Sequence, residues 1–228
     1  MFSTNELANM KMGMERLKND IVVKLFTDVK KTNDKKTRQC MACEGTYNLL
    51  NLLAEASNDK LKIEEFSTEE DKELAEKFNV VRIPTILFLD NNEKEIIRYT
   101  ASPTGPELAP FIETLQYYSG VNSYYKDAIG SSLKNIEKST IKLFVTLSCP
   151  YCPGIVPLLN LVALLSKGKI KVEIIDINMN PDIAMKYNVQ GVPHTLINEK
   201  DIISGMVTLQ DILEKLTKGK RDFGGMYA

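Results

Sequence analysis

Two Cys-x-x-Cys pairs, Cys40-Met41-Ala42-Cys43 and Cys149-Pro150-Tyr151-Cys152, lie 109 residues apart, and two prolines, Pro84 and Pro193, keep the same separation. Neighbouring residues follow that offset. Ile83 matches Val192, and Phe78-Asn79-Val80 matches Tyr187-Asn188-Val189. Two unrelated features that hold one spacing through 44 residues mark an internal repeat. Any fold must therefore set a cysteine pair and a proline in the same relation twice.

Hydrophobic patterning gives both halves one element order. Ile21–Phe26 and Ile141–Leu147 read as buried strands by their β-branched content. A cysteine pair follows each, then an apolar helix: Thr46–Ser57 in the first half, and a run to Ser166 in the second. Strands at Leu61–Phe66 and Ile170–Ile177 come next, then short helices, one opened by Thr68-x-x-Asp71 as a capping box and one by Asn180-Pro181. Strands Thr85–Leu89 and His194–Ile197 follow the prolines. Each leads through a turn into a further strand, Glu95–Tyr99 and Asp201–Ser204. Closing helices are expected at Glu107–Tyr118 and Thr208–Lys218. An extra helix precedes each half: Asn5–Lys18, capped by Ser3 or Thr4, and Tyr124–Lys138, with Gly130 as its weak point. Each half is thus a β-α-β-α-β-β-α unit, with domains at 1–119 and 120–228. The tail from Gly219 to Ala228, with Gly224-Gly225, is expected to be poorly ordered.

A net charge of −1 points to neither nucleic acid nor an anionic membrane surface. No apolar run is long enough to span a membrane, and the first residues lack a signal-peptide pattern, so a cytoplasmic protein is expected. All four cysteines fall in the two pairs, which in that compartment reads as redox or metal chemistry. A single zinc held by both pairs is the competing reading, and with it a zinc-stabilised structural protein. Each pair, however, has its own strand, helix and proline, which favours two redox sites and no metal.

The order strand, Cys-x-x-Cys, helix, proline after Val or Ile, hairpin and helix resembles the thioredoxin fold. Cys149-Pro150-Tyr151-Cys152 is the glutaredoxin-type sequence, and Pro157 matches the helix-kinking proline of thioredoxin. Two such units in one chain resemble the protein disulfide oxidoreductases of thermophilic archaea and bacteria, over roughly 21–218. The tandem N-terminal domain of the flavoprotein subunit of alkyl hydroperoxide reductase is related, but usually keeps one working cysteine pair. The fold implied is α/β: two tandem thioredoxin-like units, each a mixed central sheet flanked by helices.

The resemblance implies thiol–disulfide exchange on protein disulfides, with no cofactor beyond the disulfides Cys40–Cys43 and Cys149–Cys152. Cys149 and Cys40 would attack from helix N-termini, and Cys152 and Cys43 would resolve the mixed disulfides. Cis bonds are expected before Pro84 and Pro193, turning the backbones of Ile83 and Val192 toward an extended substrate. Pro150 and Tyr151, and Met41 and Ala42, would tune the two potentials. Electrons would come from a thioredoxin-reductase-type flavoprotein, with a peroxiredoxin as a further partner. An electron-relay module with one working pair is the alternative.

The chain departs from the family in several places. Leu143 stands where thioredoxin has a buried Asp, Asn48 replaces the kink proline in the first half, and Ser204–Thr208 lacks the glutathione-reading Gly-Gly. His194, the only histidine, reads as a polar strand residue with no catalytic part. The stretch Thr27–Gln39 is nine residues longer than its counterpart, and its part from Lys30 to Arg38, with Lys30, Lys31, Lys35, Lys36 and Arg38 against Asp34, reads as a solvated insertion, the competing reading being a positive potential at Cys40 or a dock for an acidic partner. Pro-Tyr, Pro157 and the shorter approach to Cys149 place the main centre in the second half.

Overall fold

In the computed structural model, residues 2–32 and 35–220 are described. The first half runs α1 (Thr4–Glu15), β1 (Ile21–Thr27), β2 (Lys30–Thr32), β3 (Lys35–Thr37), α2 (Cys43–Glu55), β4 (Leu61–Ser67), α3 (Lys72–Lys77), β5 (Thr85–Leu89), β6 (Glu95–Thr100), a 3₁₀ turn (Gly105–Glu107) and α4 (Leu108–Tyr118). The second runs α5 (Lys126–Ser132), β7 (Ser139–Val145), α6 (Cys152–Leu165), β8 (Ile170–Asp176), α7 (Pro181–Lys186), β9 (His194–Ile197), β10 (Asp201–Ser204) and α8 (Leu209–Thr217). The mixed sheet flanked by helices, repeated along the chain, is the architecture expected from the sequence.

The two halves share one sheet. Its order is β10-β9-β7-β8-β6-β5-β1-β4, and the join is β6 against β8, parallel from Ile97 opposite Val172 to Thr100 opposite Ile175. The β5–β6 hairpin would otherwise leave β6 as an unpaired edge. Within each half the cysteine strand lies between a parallel and an antiparallel neighbour: β4 and β5 flank β1, while β8 and β9 flank β7.

Strand alternation sorts the core onto two faces. Val23 and Leu25 on β1, and Ile141, Leu143 and Val145 on β7, point into one cluster that runs through both halves and takes in α1, α2, α4, α6 and α8. Phe26 and Phe144 point the other way, into two small clusters under α3 and α7. Helices α4 and α6 pack across the halves on the larger face. Helix α1 approaches α4 closely, since a Cβ on Gly13 would come within 2.6 Å of Ile112.

Three local readings change. Ser67–Asp71 is a turn, and α3 starts at Lys72. The Ser67 hydroxyl accepts the N–H groups of Glu69 and Glu70, and Asp71 accepts that of Ser67, so these amides are committed before a helix can begin. Thr68 caps nothing; its hydroxyl donates to the Thr27 carbonyl. Helix α5 stops at Ser132 instead of Lys138. The carbonyls of Leu133 and Ile136 beyond it accept from the Lys169 ammonium. The Thr27–Gln39 insertion contains the hairpin β2–β3. Ser3 caps α1 in a reciprocal capping box with Glu6. Asp34 and 221–228 of the tail lie outside the described residues. Among the described residues no helix is long and apolar enough to cross a membrane.

Candidate active site

Each cysteine pair sits where a strand hands over to a helix. Cys43 and Cys152 are the first residues of α2 and α6, so Cys40 and Cys149 stand just ahead of a helix N-terminus. Both pairs are closed as disulfides, with Cα atoms 5.3 Å and 5.6 Å apart. The two pairs do not come together, so a shared four-cysteine zinc has no geometry here. Cys43 and Cys152 are fully buried, Cys149 is 5% exposed and Cys40 is half-buried. The residues between the cysteines reach outward: Met41 is fully exposed and Tyr151 is 59% exposed. The Cys152 N–H donates to the Cys149 sulfur at 3.1 Å. A helix amide aimed at that sulfur favours its thiolate once the bond is reduced.

The Ile83–Pro84 and Val192–Pro193 bonds are both cis, as expected. Both prolines are buried, and Ile83 and Val192 are half-buried. In the second half a cavity of about 470 Å³ opens beside this loop, lined by Gln190, Gly191, Val192, Pro193, Ser204 and Gly205. The Met206 side chain lies near Gly154 in the first turn of α6 and is 58% exposed, so it and Tyr151 give the second site an apolar rim.

Residues 139–218 match a family model described as a thioredoxin domain. A protein disulfide oxidoreductase from Aeropyrum pernix K1 is similar along its length: TM-score 0.77, 28% identity, 94% of this chain and 92% of that one. This chain has a thioredoxin fold. The N-terminal domain of the alkylhydroperoxide reductase AhpF from Enterococcus faecalis superposes with a TM-score of 0.80, over 95% of this chain and 100% of that one; at 18% identity the likeness is one of fold. Among curated proteins, the alkyl hydroperoxide reductase AhpF of Escherichia coli is 29% identical over 61% of this chain and 27% of its own length. A protein called NADH dehydrogenase from Ferdinandcohnia aciditolerans is 27% identical over 74% of this chain and 34% of its own length. The chain thus spans about a third of the length of the curated relatives it matches.

Around the two disulfides the chain is asymmetric in charge. Asp28, just past β1, accepts the N–H groups of Gln39 and Cys40 through Oδ2, at 2.9 and 2.7 Å. Its Oδ1 is buried without a hydrogen-bond partner, and an oxygen of the same carboxylate lies within 4.8 Å of both first-site sulfurs. At the equivalent strand position the second half has Thr146, whose carbonyl accepts the Cys149 N–H. Sequence reading missed Asp28. It is 12 residues before Cys40, and only the fold of the insertion returns it to the disulfide.

The insertion is not simply solvated. Arg38 is buried against Glu65, with side chains 2% and 4% exposed and paired through Nε at 2.6 Å. It also reaches Glu44 at 2.9 Å and lies 3.4 Å over the Tyr47 ring. Its positive charge is therefore committed to those partners, which hold its pKa above the ordinary arginine value despite burial.

Two carboxyls are buried in the second half's surroundings, one beside α6 and one at the end of β8. Glu107, 4% exposed, has both oxygens unpartnered, in a 3₁₀ turn that packs against α6. Burial, reinforced by the negative charge of Asp176, raises its pKa to about 7. Asp176 ends β8 opposite Val145 and is also raised by burial. Sequence reading sets Glu107 at the start of the closing helix, where a carboxylate is expected to face solvent, which hid this pair. His194 packs edge-on to Phe144 with its Nε2 unpartnered, and burial lowers its pKa. It is therefore neutral at pH 7 and offers Cys149 no cationic charge.

Proposed function

We propose that the chain catalyses thiol–disulfide exchange on protein disulfides, with Cys149–Cys152 as the principal site and Cys40–Cys43 as the second. The hydrogen bond from the Cys152 N–H to the Cys149 sulfur carries this reading. In the reduced protein the Cys149 thiolate attacks one sulfur of the substrate disulfide, and the departing sulfur leaves as a thiolate that takes up a proton. Cys152 then loses its proton and attacks Cys149 within the mixed disulfide. The second substrate thiol is released and the protein disulfide closes. Two electrons pass to the substrate.

The backbones of Ile83 and Val192, beside the cis-prolines, are the proposed docking strands for an extended substrate segment. Pro150, Tyr151, Met41 and Ala42 set how well each helix terminus stabilises its thiolate. The proposed domains are 1–119 and 120–228, each with one site. The disulfides are the only cofactor required in this reading. Reduction comes from a thioredoxin-reductase-type flavoprotein, and a peroxiredoxin is a further partner. Four cysteines held entirely in Cys-x-x-Cys pairs suit a cytoplasmic setting.

The charge asymmetry favours a second reading, an electron relay that works through Cys149–Cys152 alone. Insulin reduction by dithiothreitol separates the two on wild type, Cys40→Ser and Cys149→Ser. Loss of activity in Cys149→Ser with partial loss in Cys40→Ser supports the two-site enzyme. An unaffected Cys40→Ser variant supports the relay. A wild type with no activity sinks the enzyme reading.

A further inference from the structure

We propose that the first site, once reduced, is a binding site for a thiophilic divalent cation such as Zn²⁺, held by the Cys40 and Cys43 sulfurs and the Asp28 carboxylate. Among the described residues, these three form the one cluster of metal-ligating side chains whose donor atoms all lie within 4.8 Å of one another. Donors on one tetrahedral zinc stand about 3.5–3.8 Å apart, given Zn–S near 2.3 Å and Zn–O near 2.1 Å. Opening the Cys40–Cys43 bond lets the sulfurs separate to that spacing while the Cα atoms, 5.3 Å apart, stay in place.

The carboxylate is the second, independent observation. Oδ2 is fully used by two backbone N–H groups, which fix the side chain, and Oδ1 is buried and unpartnered. A buried carboxylate oxygen without a donor is costly unless something positive meets it. Arg38 is spent on Glu65 and Glu44, Lys36 pairs with Glu65, and Lys30, which feels the Asp28 charge, makes its ion pair with Glu69. Reduction makes the imbalance worse by adding two titratable thiols beside the carboxylate. A divalent cation resolves it. A dithiol or phosphine reductant supplies two electrons, two protons convert the disulfide to two thiols, and the cation displaces those protons on binding. The half-buried Cys40 leaves a path from solvent, and the fourth position stays open to water or a further ligand. The second site has no matching carboxylate cluster among the described residues, so the cation is specific to the first. The bound cation holds Cys40 and Cys43 as thiolates, withdraws them from exchange and raises their reduction potential.

The test uses the full chain carrying Cys149→Ser and Cys152→Ser, reduced with a phosphine, with Co²⁺ as the optical probe and Zn²⁺ as competitor. The expected result is one Co²⁺ per chain with thiolate-to-cobalt charge-transfer absorption, displaced by Zn²⁺ and absent from the oxidised protein. Adding Cys40→Ser should abolish it, and adding Asp28→Asn should weaken binding at least tenfold. Asparagine keeps an acceptor for the Gln39 and Cys40 amides, so the loop is retained. No charge-transfer band, or equal affinity with Asp28→Asn, overturns the proposal. An independent arm leaves Asp28 untouched: Zn²⁺ should slow alkylation of Cys40 and Cys43 at least tenfold, and an unchanged rate also overturns it. None of these readouts depends on disulfide exchange by Cys149–Cys152.

Discussion

Asn160 on α6 donates its side-chain amide to the Tyr99 hydroxyl on β6 at 2.8 Å, with both residues buried. The same amide donates to Thr114 on α4 at 3.0 Å. One side chain of the second half thus satisfies two hydroxyls of the first, beside the β6–β8 seam. Tyr99→Phe should cost about 1–2 kcal/mol, because it removes one partner from a dry polar cluster. Asn160→Ala should cost more, about 2–3 kcal/mol, since both hydroxyls lose a donor and a void opens. Urea unfolding of the single and double variants should give a coupling energy of at least about 0.5 kcal/mol. Strict additivity would mean the bond is incidental.

Glu107 predicts a stability that falls as pH rises. Its folded-state pKa is lifted from an ordinary 4.5 to about 7. Between those values the folded chain holds a proton that the unfolded chain has released, so unfolding is favoured as pH rises through the window. The loss builds from about pH 4.5, levels above about pH 7 and amounts to roughly 3 kcal/mol. The raised pKa of Asp176 has the same sign. Glu107→Gln should flatten most of this dependence. Urea midpoints at pH 5 and pH 8 check it, and an unchanged slope in the variant would remove Glu107 as the cause.

The element order and both cysteine sites were legible because they rest on local patterns. Alternation along β7, the apolar length of α6 and the shared offset of Pro84 and Pro193 are all short-range signals. The single sheet was not legible. Strand β6 reads as the outer arm of a hairpin, and nothing local says that its free edge takes up β8. The burial of charge at Asp28, Arg38 and Glu107 was missed for one reason. Each is a charged residue in a polar or turn-forming stretch, where solvent is the sound expectation. Their burial is decided by contacts distant in sequence, as Arg38 is by Glu65 and Glu107 by the packing of its turn against α6. Charge placed against that expectation is what distinguishes the two sites.

Arg38 should be a structural requirement of the first site. Truncation to alanine leaves Glu65 buried without its main counter-ion and removes the stack on Tyr47. Breaking a buried pair from one side costs about 3–5 kcal/mol. Arg38→Lys should recover only part, because an ammonium cannot make the two-pronged contact through Nε and Nη2. Denaturation midpoints for the two variants test this. A lysine variant as stable as wild type would show that charge alone suffices.

Cys149 and Cys152 should differ sharply when replaced one at a time. Cys149 is the more accessible sulfur and receives the helix amide, while Cys152 is fully buried at the start of α6. Reduced Cys152→Ser should therefore attack a protein disulfide and stop there, accumulating a mixed disulfide through Cys149 that non-reducing gels resolve. Cys149→Ser should trap almost nothing at this site, because its remaining thiol cannot reach a substrate sulfur. Cys40→Ser and Cys43→Ser must be present in both variants, so that only the second site reports. The Cys149 thiolate should also alkylate with a lower apparent pKa than the Cys40 thiolate in the converse background with Cys43→Ser, Cys149→Ser and Cys152→Ser. A helix amide favours the first of these thiolates, and the Asp28 carboxylate opposes the second. Equal trapping by Cys152→Ser and Cys149→Ser would contradict the assignment of Cys149 as the attacking sulfur, and equal alkylation profiles would contradict the electrostatic asymmetry.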